Sequence, residues 1–350
     1  MTIAFSIAIP VWNDEEWLSG AIESVLGQSH PDWELVIGDN ASDSDLGAIV
    51  SQYTDERIRY HRFPTHVGAS ENHNRTMSLC RKDWMLLLSA DDRLDPCCLT
   101  RIAERIEQVA SSNTRLAMVV TACQRVDQAG RPTDILRDDY TTYRPFRFQA
   151  IPDGLYDGAT WLRVNAAPGI PPWMMGSVAI PRDLLTEIGA FRPEMGLSHD
   201  LELVMRFAAY GDVAYIDAPL LNYTVRGNSI TGKLIERHIR SRSAMVEFGA
   251  AWLSALQAHE AQRPISCQER DAISAAISRA FLHRALLQRR AVNGGGVRAA
   301  LRDILHAASY SRRTVLGSWR LLVALGAILA PGWLLDRITT IGHRYGFVVV

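Results

Sequence analysis

Short apolar runs alternate with amphipathic stretches over the first third of the 350-residue chain, and this alternation constrains the fold most. The apolar runs lie at residues 5–10, 33–37, 84–88 and 116–122, and residues 58–63 alternate as a half-exposed strand would. Stretches with helical spacing separate these segments. Strands that alternate with helices form parallel βαβ units, with helices covering the faces of the sheet. The sequence therefore predicts an α/β fold whose mostly parallel sheet carries helices on both faces.

The pattern changes twice further along the chain. It predicts, in order, loops at residues 127–173, helices at 181–188 and 199–210, a short edge strand at 213–216, and almost wholly helical structure beyond about 233. Such a change of pattern marks a domain boundary. We expect one α/β domain over residues 1–229 and a helical C-terminal region over residues 230–350.

The formal net charge of −1 conceals two oppositely charged parts. Residues 1–225 hold 19 Lys and Arg against 31 Asp and Glu, a net charge of −12, whereas residues 226–350 hold 18 against 7, a net of +11. The uncharged stretch 321–335 is shorter than the roughly 20 residues that span a bilayer. Its basic flanks favour attachment to an anionic membrane surface through the C-terminal helices. A helical subdomain that packs on the first domain or on a second subunit is the alternative.

Cysteine usage and the N-terminus both indicate a cytoplasmic protein. The five cysteines include no C-x-x-C pair, and their odd number argues against a disulfide framework. The first ten residues lack the basic segment of a signal peptide. Arginines are spread along helices without a recognisable module, so no nucleic-acid partner is expected. Together with the basic tail, this predicts a peripheral location on the inner face of the plasma membrane.

Acidic and amide side chains follow three of the predicted strands. They are Asn13 and Glu15 after the first, Asp39 and Asn40 after the second, and Asp91 and Asp92 after the fourth. The carboxyl ends of parallel strands meet at one edge, so these side chains are expected to line one crevice. Taken singly, the Asp39 and Asp91 segments could be only turns or helix N-caps.

Two adjacent carboxylates after an apolar strand favour a hard cation. Mg²⁺ and Mn²⁺ are often bound by one or two carboxylates, with the phosphate oxygens of a substrate completing the coordination. Neither G-x-G-x-x-G after the first strand nor G-x-x-x-x-G-K-[ST] occurs in the chain, which argues against a dinucleotide dehydrogenase or a P-loop enzyme.

Several segments, taken in order, carry a resemblance to a known family. They are SIAIPVWN at 6–13, IESVLGQ at 22–28, the turn at Asp39, Gly68 with NHNR at 72–75, LLSADD at 87–92, SHDLELVMR at 198–206, and GDVAY with PLLNY between 211 and 223. This series resembles family 2 glycosyltransferases with the GT-A fold, a Rossmann-like α/β architecture. The resemblance divides the first domain into a nucleotide-binding part of about residues 1–125 and an acceptor part of about 126–229.

This chain departs from the family pattern at four places. Gly38 precedes Asp39 where paired acids are common, and Ser89 stands where Asp is common. His199 replaces the commoner Glu before Asp200, and Tyr223-Thr224-Val225-Arg226 replaces Y-R-x-H. The acids Asp39, Asp92 and Asp200 persist, but their altered neighbours make the preferred sugar and base harder to predict.

The resemblance implies a role for each matching residue. Asp39 would contact the base or ribose, Asp91 the ribose side, and Asp92 a Mn²⁺ or Mg²⁺ ion that bridges the diphosphate. Asp200 would be the general base that takes the proton of the acceptor hydroxyl. Further expected contacts to the nucleotide sugar are Pro10, Asn13, Glu15 and Asn74, and to the acceptor or a phosphate Trp173, His199 and Arg226. For the last three, core packing or an exposed position is the alternative.

These observations predict a metal-dependent, inverting glycosyltransferase of polysaccharide biosynthesis at the cell envelope. It would move a sugar from a nucleotide-diphosphate donor to a hydroxyl of a glycan or of a polyprenyl-linked acceptor. Two alternatives remain open. One is a nucleotidyltransferase, although such an enzyme normally has a basic, Gly-rich loop after the first strand. The other is a noncatalytic scaffold that retains the fold within a polysaccharide-assembly complex.

Overall fold

A computed structural model describes residues 3–111, 114–133, 151–166, 173–226, 243–290, 304–305 and 307–311. The strands are β1 (Phe5–Val11), β2 (Trp33–Asp39), β3 (Ile58–Arg62), β4 (Trp84–Leu87), β5 (Arg93–Leu94), β6 (Leu116–Val126), β7 (Gly154–Tyr156), β8 (Val178–Pro181) and β9 (Asp212–Thr224). The helices are α1 (Glu15–Leu26), α2 (Leu46–Val50), α3 (Ala69–Met77), α4 (Cys98–Ala110), α5 (Gly158–Asn165), α6 (Arg182–Ile188), α7 (His199–Phe207), α8 (Ser243–Gln262) and α9 (Cys267–Arg290).

The first four strands form the parallel half of one sheet, in the order β3-β2-β1-β4. Val11 at the end of β1 pairs with Asp39 at the end of β2, and Ala8 pairs with Leu87 at the end of β4. The carboxyl ends of these strands therefore lie at the same edge, which we call the carboxyl edge. The predicted α/β fold with a mostly parallel central sheet is confirmed.

The sheet continues from β4 through β8, β6 and β9 to β5, with β7 paired to β9. Strand β8 is antiparallel to both β4 and β6, whereas β6 and β9 are parallel to each other. The short edge strand expected at residues 213–216 is instead the 13-residue strand β9, which lies inside the sheet. Pro219 interrupts its sequence pattern, and register shifts opposite Ala122 accommodate this residue.

Regular structure also occurs where only loops were expected. Strand β7 and helix α5 both lie within residues 127–173. The Asp157 carboxylate caps α5 by accepting hydrogen bonds from the backbone amides of Ala159 and Thr160. An N-cap aspartate followed by a short helix is a local signal that the weak apolar periodicity of this segment obscured.

The two faces of the sheet bury separate apolar clusters. On one face Ile7 and Ile9 of β1 pack with residues of α1 and α4, including Ile22 and Ile102. On the other face Ala8 packs in a cluster that contains residues of α3 and α7. Successive side chains of a strand point to opposite faces, so a strand covered on both sides is apolar throughout. This explains why residues 5–10 are apolar except for Ser6.

The described part of the C-terminal region packs on the α/β domain. Helix α8 lies against α7, where Trp252 and Ala255 are buried and a ring nitrogen of His259 lies 3.1 Å from the Met205 carbonyl oxygen. Among the helices that the structure describes, none is long and apolar enough to cross a membrane. The apolar stretch 321–335 and the expected domain boundary near residue 229 lie outside the described residues.

Candidate active site

The loops after β1 and β2 are tied together at the carboxyl edge. The side-chain amide of Asn13 donates to Asp43 (2.9 Å), and its oxygen accepts from the Asp43 backbone amide (2.8 Å). Asn13 has a φ of 53°, a left-handed conformation that asparagine adopts more readily than most residues. Next to it Glu15 is exposed and accepts a hydrogen bond from Ser44 (3.1 Å). Both predicted nucleotide-contacting residues thus lie on the rim of this edge.

Asp39 has a side chain with no exposed surface. Its Oδ1 accepts from the Ser42 backbone amide (2.9 Å), and its Oδ2 accepts from the Tyr60 hydroxyl (2.7 Å). Burial and the Asp39 carboxylate raise the pKa of Tyr60 to about 12, so its hydroxyl stays a donor. Arg62, whose side chain is half exposed, lies 3.5 Å from the same carboxylate oxygen. In this structure Asp39 shapes the loop, and Arg62 is the member of this group that reaches the surface.

Gly38, one of the departures from the family pattern, has a packing explanation. A Cβ built at Gly38 would overlap the side chain of Thr76 on α3. Thr76 is fully buried, and its hydroxyl donates to the Asn72 carbonyl oxygen (2.7 Å), which fixes its orientation. The glycine at the end of β2 is therefore required by a side chain 38 residues further along the chain.

Helix α3 connects β2 to the start of α7 through two asparagines. The side-chain oxygen of Asn40 accepts a hydrogen bond from Arg75 of α3. The same oxygen accepts from the Val67 backbone amide, and the side-chain nitrogen of Asn40 donates to the Val67 carbonyl oxygen, both at 2.9 Å. Asn74 likewise donates to the Phe191 carbonyl oxygen (2.8 Å) and accepts from the Phe191 backbone amide (2.9 Å). The Asn74 amide, expected to contact the nucleotide sugar, is thus engaged in holding the segment before α7.

Asp92 is buried in the turn after β4, with only 2% of its surface exposed. Its Oδ1 accepts from the backbone amide of Thr224, the last residue of β9 (2.9 Å). Burial, together with the negative charge of Asp91, raises the pKa of Asp92 well above its usual range. The carboxylate to which the resemblance assigned the metal therefore faces the protein interior.

Asp91, in the same turn, is partly exposed. Its Oδ2 accepts from Nε of Arg226 (2.5 Å), and Nη2 of Arg226 lies 2.8 Å from Oδ1 of Asp14 at the start of α1. The Arg226 guanidinium also lies 5.5 Å from the centre of the Trp17 ring. Arg226 thus joins the ends of β4 and β9 to α1, and Asp91 offers the accessible carboxylate of the Asp91–Asp92 pair.

The donor set at this turn suits a divalent ion that takes ligands from its substrate. Among the described residues, no group of three or more His, Cys, Asp and Glu side chains could hold a metal ion by itself. Two adjacent carboxylates whose charges repel each other are nevertheless stabilised by a cation between or beside them. Mg²⁺ and Mn²⁺ accept one or two protein carboxylates when phosphate oxygens complete the coordination. Asp91, with Asp92 behind it, fits such an ion.

Asp200 lies in the first turn of α7, partly exposed, and its Oδ1 accepts from the Leu201 backbone amide (2.7 Å). Beside it, Nδ1 of His199 lies 2.5 Å from the Gly196 carbonyl oxygen, and its ring contacts those of His73 and Phe191. Burial, reinforced by His199, lowers the pKa of His73 to about 3, which leaves this ring uncharged. Helix α3 therefore supports the segment that carries Asp200.

Of the other predicted residues, Trp173 is buried and Pro10 is only partly exposed. Trp173 is 6% exposed, and its indole nitrogen donates to the side chain of Asn165 (2.8 Å), so its ring packs in the core. Pro10 lies in β1 opposite Gly38, with part of its ring accessible. Sequence reasoning had assigned no role to Arg62 or Asp14. Their positions, at the last residue of β3 and directly before α1, were the signal available for finding them.

An acid-lined carboxyl edge on a doubly covered parallel sheet is typical of α/β proteins that bind nucleotides there. Residues 6–159 match the family model described as Glycosyl transferase family 2. This match confirms, over residues 6–159, the resemblance to family 2 glycosyltransferases that the order of the motifs predicted.

The solved structure of residues 1–349 of S. aureus TarS, in complex with UDP-GlcNAc, has a similar fold. The TM-score is 0.54 at 14% sequence identity, and the match covers 91% of this chain and 93% of that one. At this identity the likeness concerns the fold alone, which is the GT-A fold.

Two curated relatives come from Mycobacterium tuberculosis. Uncharacterized protein MT1568 is 22% identical over 218 residues, which cover 60% of this chain and 64% of the relative. The PGL/p-HBAD biosynthesis glycosyltransferase is 35% identical over 103 residues, covering 28% of this chain and 40% of the relative. The chain thus matches less than two thirds of the length of these relatives.

Proposed function

We propose that this protein is an inverting glycosyltransferase that moves a sugar from a nucleotide-diphosphate donor to a hydroxyl group of a glycan or lipid-linked glycan. The observation that carries the proposal is the Asp91–Asp92 carboxylate pair after β4, at the carboxyl edge of a family 2 domain. The name of the PGL/p-HBAD biosynthesis glycosyltransferase and the UDP-GlcNAc complex of TarS support the same reaction class.

The acids of the carboxyl edge would hold the donor. Asp91, backed by Asp92, would bind a Mn²⁺ or Mg²⁺ ion, whose positive charge stabilises the departing diphosphate. Arg62 and the Asn13 loop would border the nucleotide, because they form the exposed rim beside the buried Asp39. Glu15, exposed on the same rim, would contact a donor hydroxyl.

Asp200 would act as the general base. It would take the proton of the acceptor hydroxyl while the oxygen attacks the anomeric carbon and the bond from that carbon to the diphosphate breaks. A single displacement inverts the configuration and needs no covalent enzyme intermediate. The hydrogen bond from the Leu201 amide occupies Oδ1, which leaves Oδ2 available for the proton.

The basic tail suggests where the acceptor would be found. A net charge of +11 over residues 226–350 would attract this region to an anionic leaflet. We therefore include peripheral attachment to the inner face of the plasma membrane, and a polyprenyl-linked acceptor, in the proposal.

The proposal is tested with a panel of sugar nucleotides in the presence of Mn²⁺ and without acceptor. We expect one sugar nucleotide to bind and to be hydrolysed slowly to a nucleoside diphosphate, and Asp91→Ala to lose both properties. Glu107→Gln, an exposed acid near the end of α4, is the control and should behave like the wild type. Release of pyrophosphate from a nucleoside triphosphate would instead indicate a nucleotidyltransferase, and no binding across the panel would indicate a noncatalytic scaffold.

A further inference from the structure

A single arginine neutralises two acids at the centre of the proposed donor site. Arg226 lies 2.5 Å from Asp91 through Nε and 2.8 Å from Asp14 through Nη2. The Arg226 and Asp91 side chains are each 14% exposed, so water screens their interaction only partly. Charge-assisted hydrogen bonds of this length are among the stronger polar contacts in proteins. We call this arrangement the Asp14–Arg226–Asp91 bridge.

The bridge occupies the carboxylate that a metal ion would need. Oδ2 of Asp91 is the atom that Arg226 contacts, and Asp92 behind it offers almost no accessible surface. Arg93, the other cation at this turn, donates to the carbonyl oxygens of Ala90 and Asp92 rather than to a carboxylate. Arg226 is therefore the group that balances the charge of Asp91 in this structure.

A divalent ion and Arg226 cannot both lie against the same carboxylate oxygen without repelling each other. An ion arriving alone would have to displace the guanidinium and leave it without a full counter-charge. An ion arriving with a diphosphate brings new negative oxygens, to which a guanidinium can donate two parallel hydrogen bonds. The exchange is thus favourable only when ion and nucleotide arrive together.

We propose that Arg226 is the counter-ion of Asp91 in the donor-free protein and blocks its carboxylate from a metal ion. When nucleotide and metal bind, Arg226 moves to the donor diphosphate. Asp14 holds the arginine in the closed position through the second arm of the bridge. The inference rests on the proposed function and adds one property to it: Arg226 makes the binding of metal ion and nucleotide more cooperative than their shared coordination alone would make it.

The test measures Mn²⁺ binding directly, from the electron paramagnetic resonance signal of the free ion, with and without UDP or GDP. In the wild type, the nucleotide that binds should raise Mn²⁺ affinity by about tenfold or more. In Arg226→Gln, Mn²⁺ should bind about tenfold more tightly than in the wild type when no nucleotide is present, and the nucleotide should raise the affinity by a smaller factor than in the wild type. Arg101→Gln, an exposed arginine on α4, is the control and should match the wild type.

Asp14→Asn provides a second variant in case Arg226→Gln folds poorly. It weakens one arm of the bridge, so nucleotide-free Mn²⁺ affinity should rise by a smaller factor, about threefold. Mn²⁺ affinity that is unchanged or lower in both variants, in a protein that does bind sugar nucleotides, would overturn the inference alone. A wild type that binds no sugar nucleotide at all would overturn the proposed function, and this inference with it.

Discussion

The acidic side chains at the carboxyl edge differ in how much of each carboxylate is exposed, and this difference separates their roles. Asp39 and Asp92 are buried, and each accepts a hydrogen bond from a backbone amide. Asp91 and Asp200 are partly exposed. In our proposal, Asp91 becomes accessible to a metal ion once Arg226 has moved away. The buried acids hold the loops in place, and the two partly exposed acids are the ones that we propose to take part in the reaction.

Replacement of Asp200 tests whether this partly exposed acid is the general base. Asp200→Asn should lower turnover by about 10²- to 10⁴-fold, because an amide cannot accept the acceptor's proton. Donor binding, measured by calorimetry, should stay close to that of the wild type. Asp183→Asn is a matched control, since Asp183 accepts from the next backbone amide at the start of α6 just as Asp200 does at the start of α7. Full activity of Asp200→Asn would remove Asp200 from the mechanism.

The fit between Gly38 and Thr76 predicts a specific coupling of stabilities. Gly38→Ala should lower the free energy of unfolding by about 1–3 kcal/mol, because its Cβ would overlap Thr76. Adding Thr76→Gly should recover part of this loss, so that the double variant is less destabilised than the two single effects combined. Urea unfolding measures each value.

Gly154→Ala is the control for this series, because a Cβ at Gly154 would meet only the Tyr156 ring at an ordinary contact distance of 3.9 Å. Its stability should change little. Strict additivity of the Gly38 and Thr76 substitutions would show that the two residues do not compete for the same space.

At the level of elements, the helix that carries Asp200 is braced by the C-terminal region. Glu202 of α7 is fully buried and contacts Arg206 (2.8 Å), Arg192 (3.2 Å) and Ser254 of α8 (2.8 Å). Arg206 in turn donates to carbonyl oxygens of residues 188–190, the segment before α7. Because α8 completes this network, it is part of the support of the proposed active site.

Breaking this network should affect stability strongly. Glu202→Ala should lower the free energy of unfolding by about 3–5 kcal/mol, because two arginines lose a buried counter-charge. Glu260→Ala is the control: Glu260 pairs with Arg270 at the surface of the same region, and exposed pairs contribute only about 0–1 kcal/mol. Thermal unfolding distinguishes the two. Similar small losses in both variants would mean that α8 does not brace α7.

On the scale of the whole molecule, the opposite charges of the two parts of the chain make association with a charged surface testable. The protein should bind vesicles that contain anionic lipid at low ionic strength and neutral vesicles much less, because the attraction is electrostatic. Flotation in a density gradient measures the bound fraction. Reversing Arg312 and Arg313 to Glu should reduce binding, whereas reversing the exposed Arg101 and Arg131 should not. Equal binding to both kinds of vesicle would contradict the electrostatic attachment.

The sequence by itself determined the parallel βαβ half of the sheet and the positions of its acids. Apolar periodicity is a local property, and parallel pairing then brings the ends of β1, β2 and β4 to one edge without further information. The resemblance to family 2 glycosyltransferases also followed from ordered motifs, and the match over residues 6–159 confirmed it.

Tertiary structure decided which of these acids are exposed and what they contact. Asp91 and Arg226 are 135 residues apart in the chain, and neither has a local pattern that predicts their contact. The same holds for Gly38 with Thr76, for β9 inside the sheet, and for the packing of α8 on α7. Each depends on where the folded chain brings distant side chains together, because burial and hydrogen bonding are properties of the packed molecule rather than of a segment.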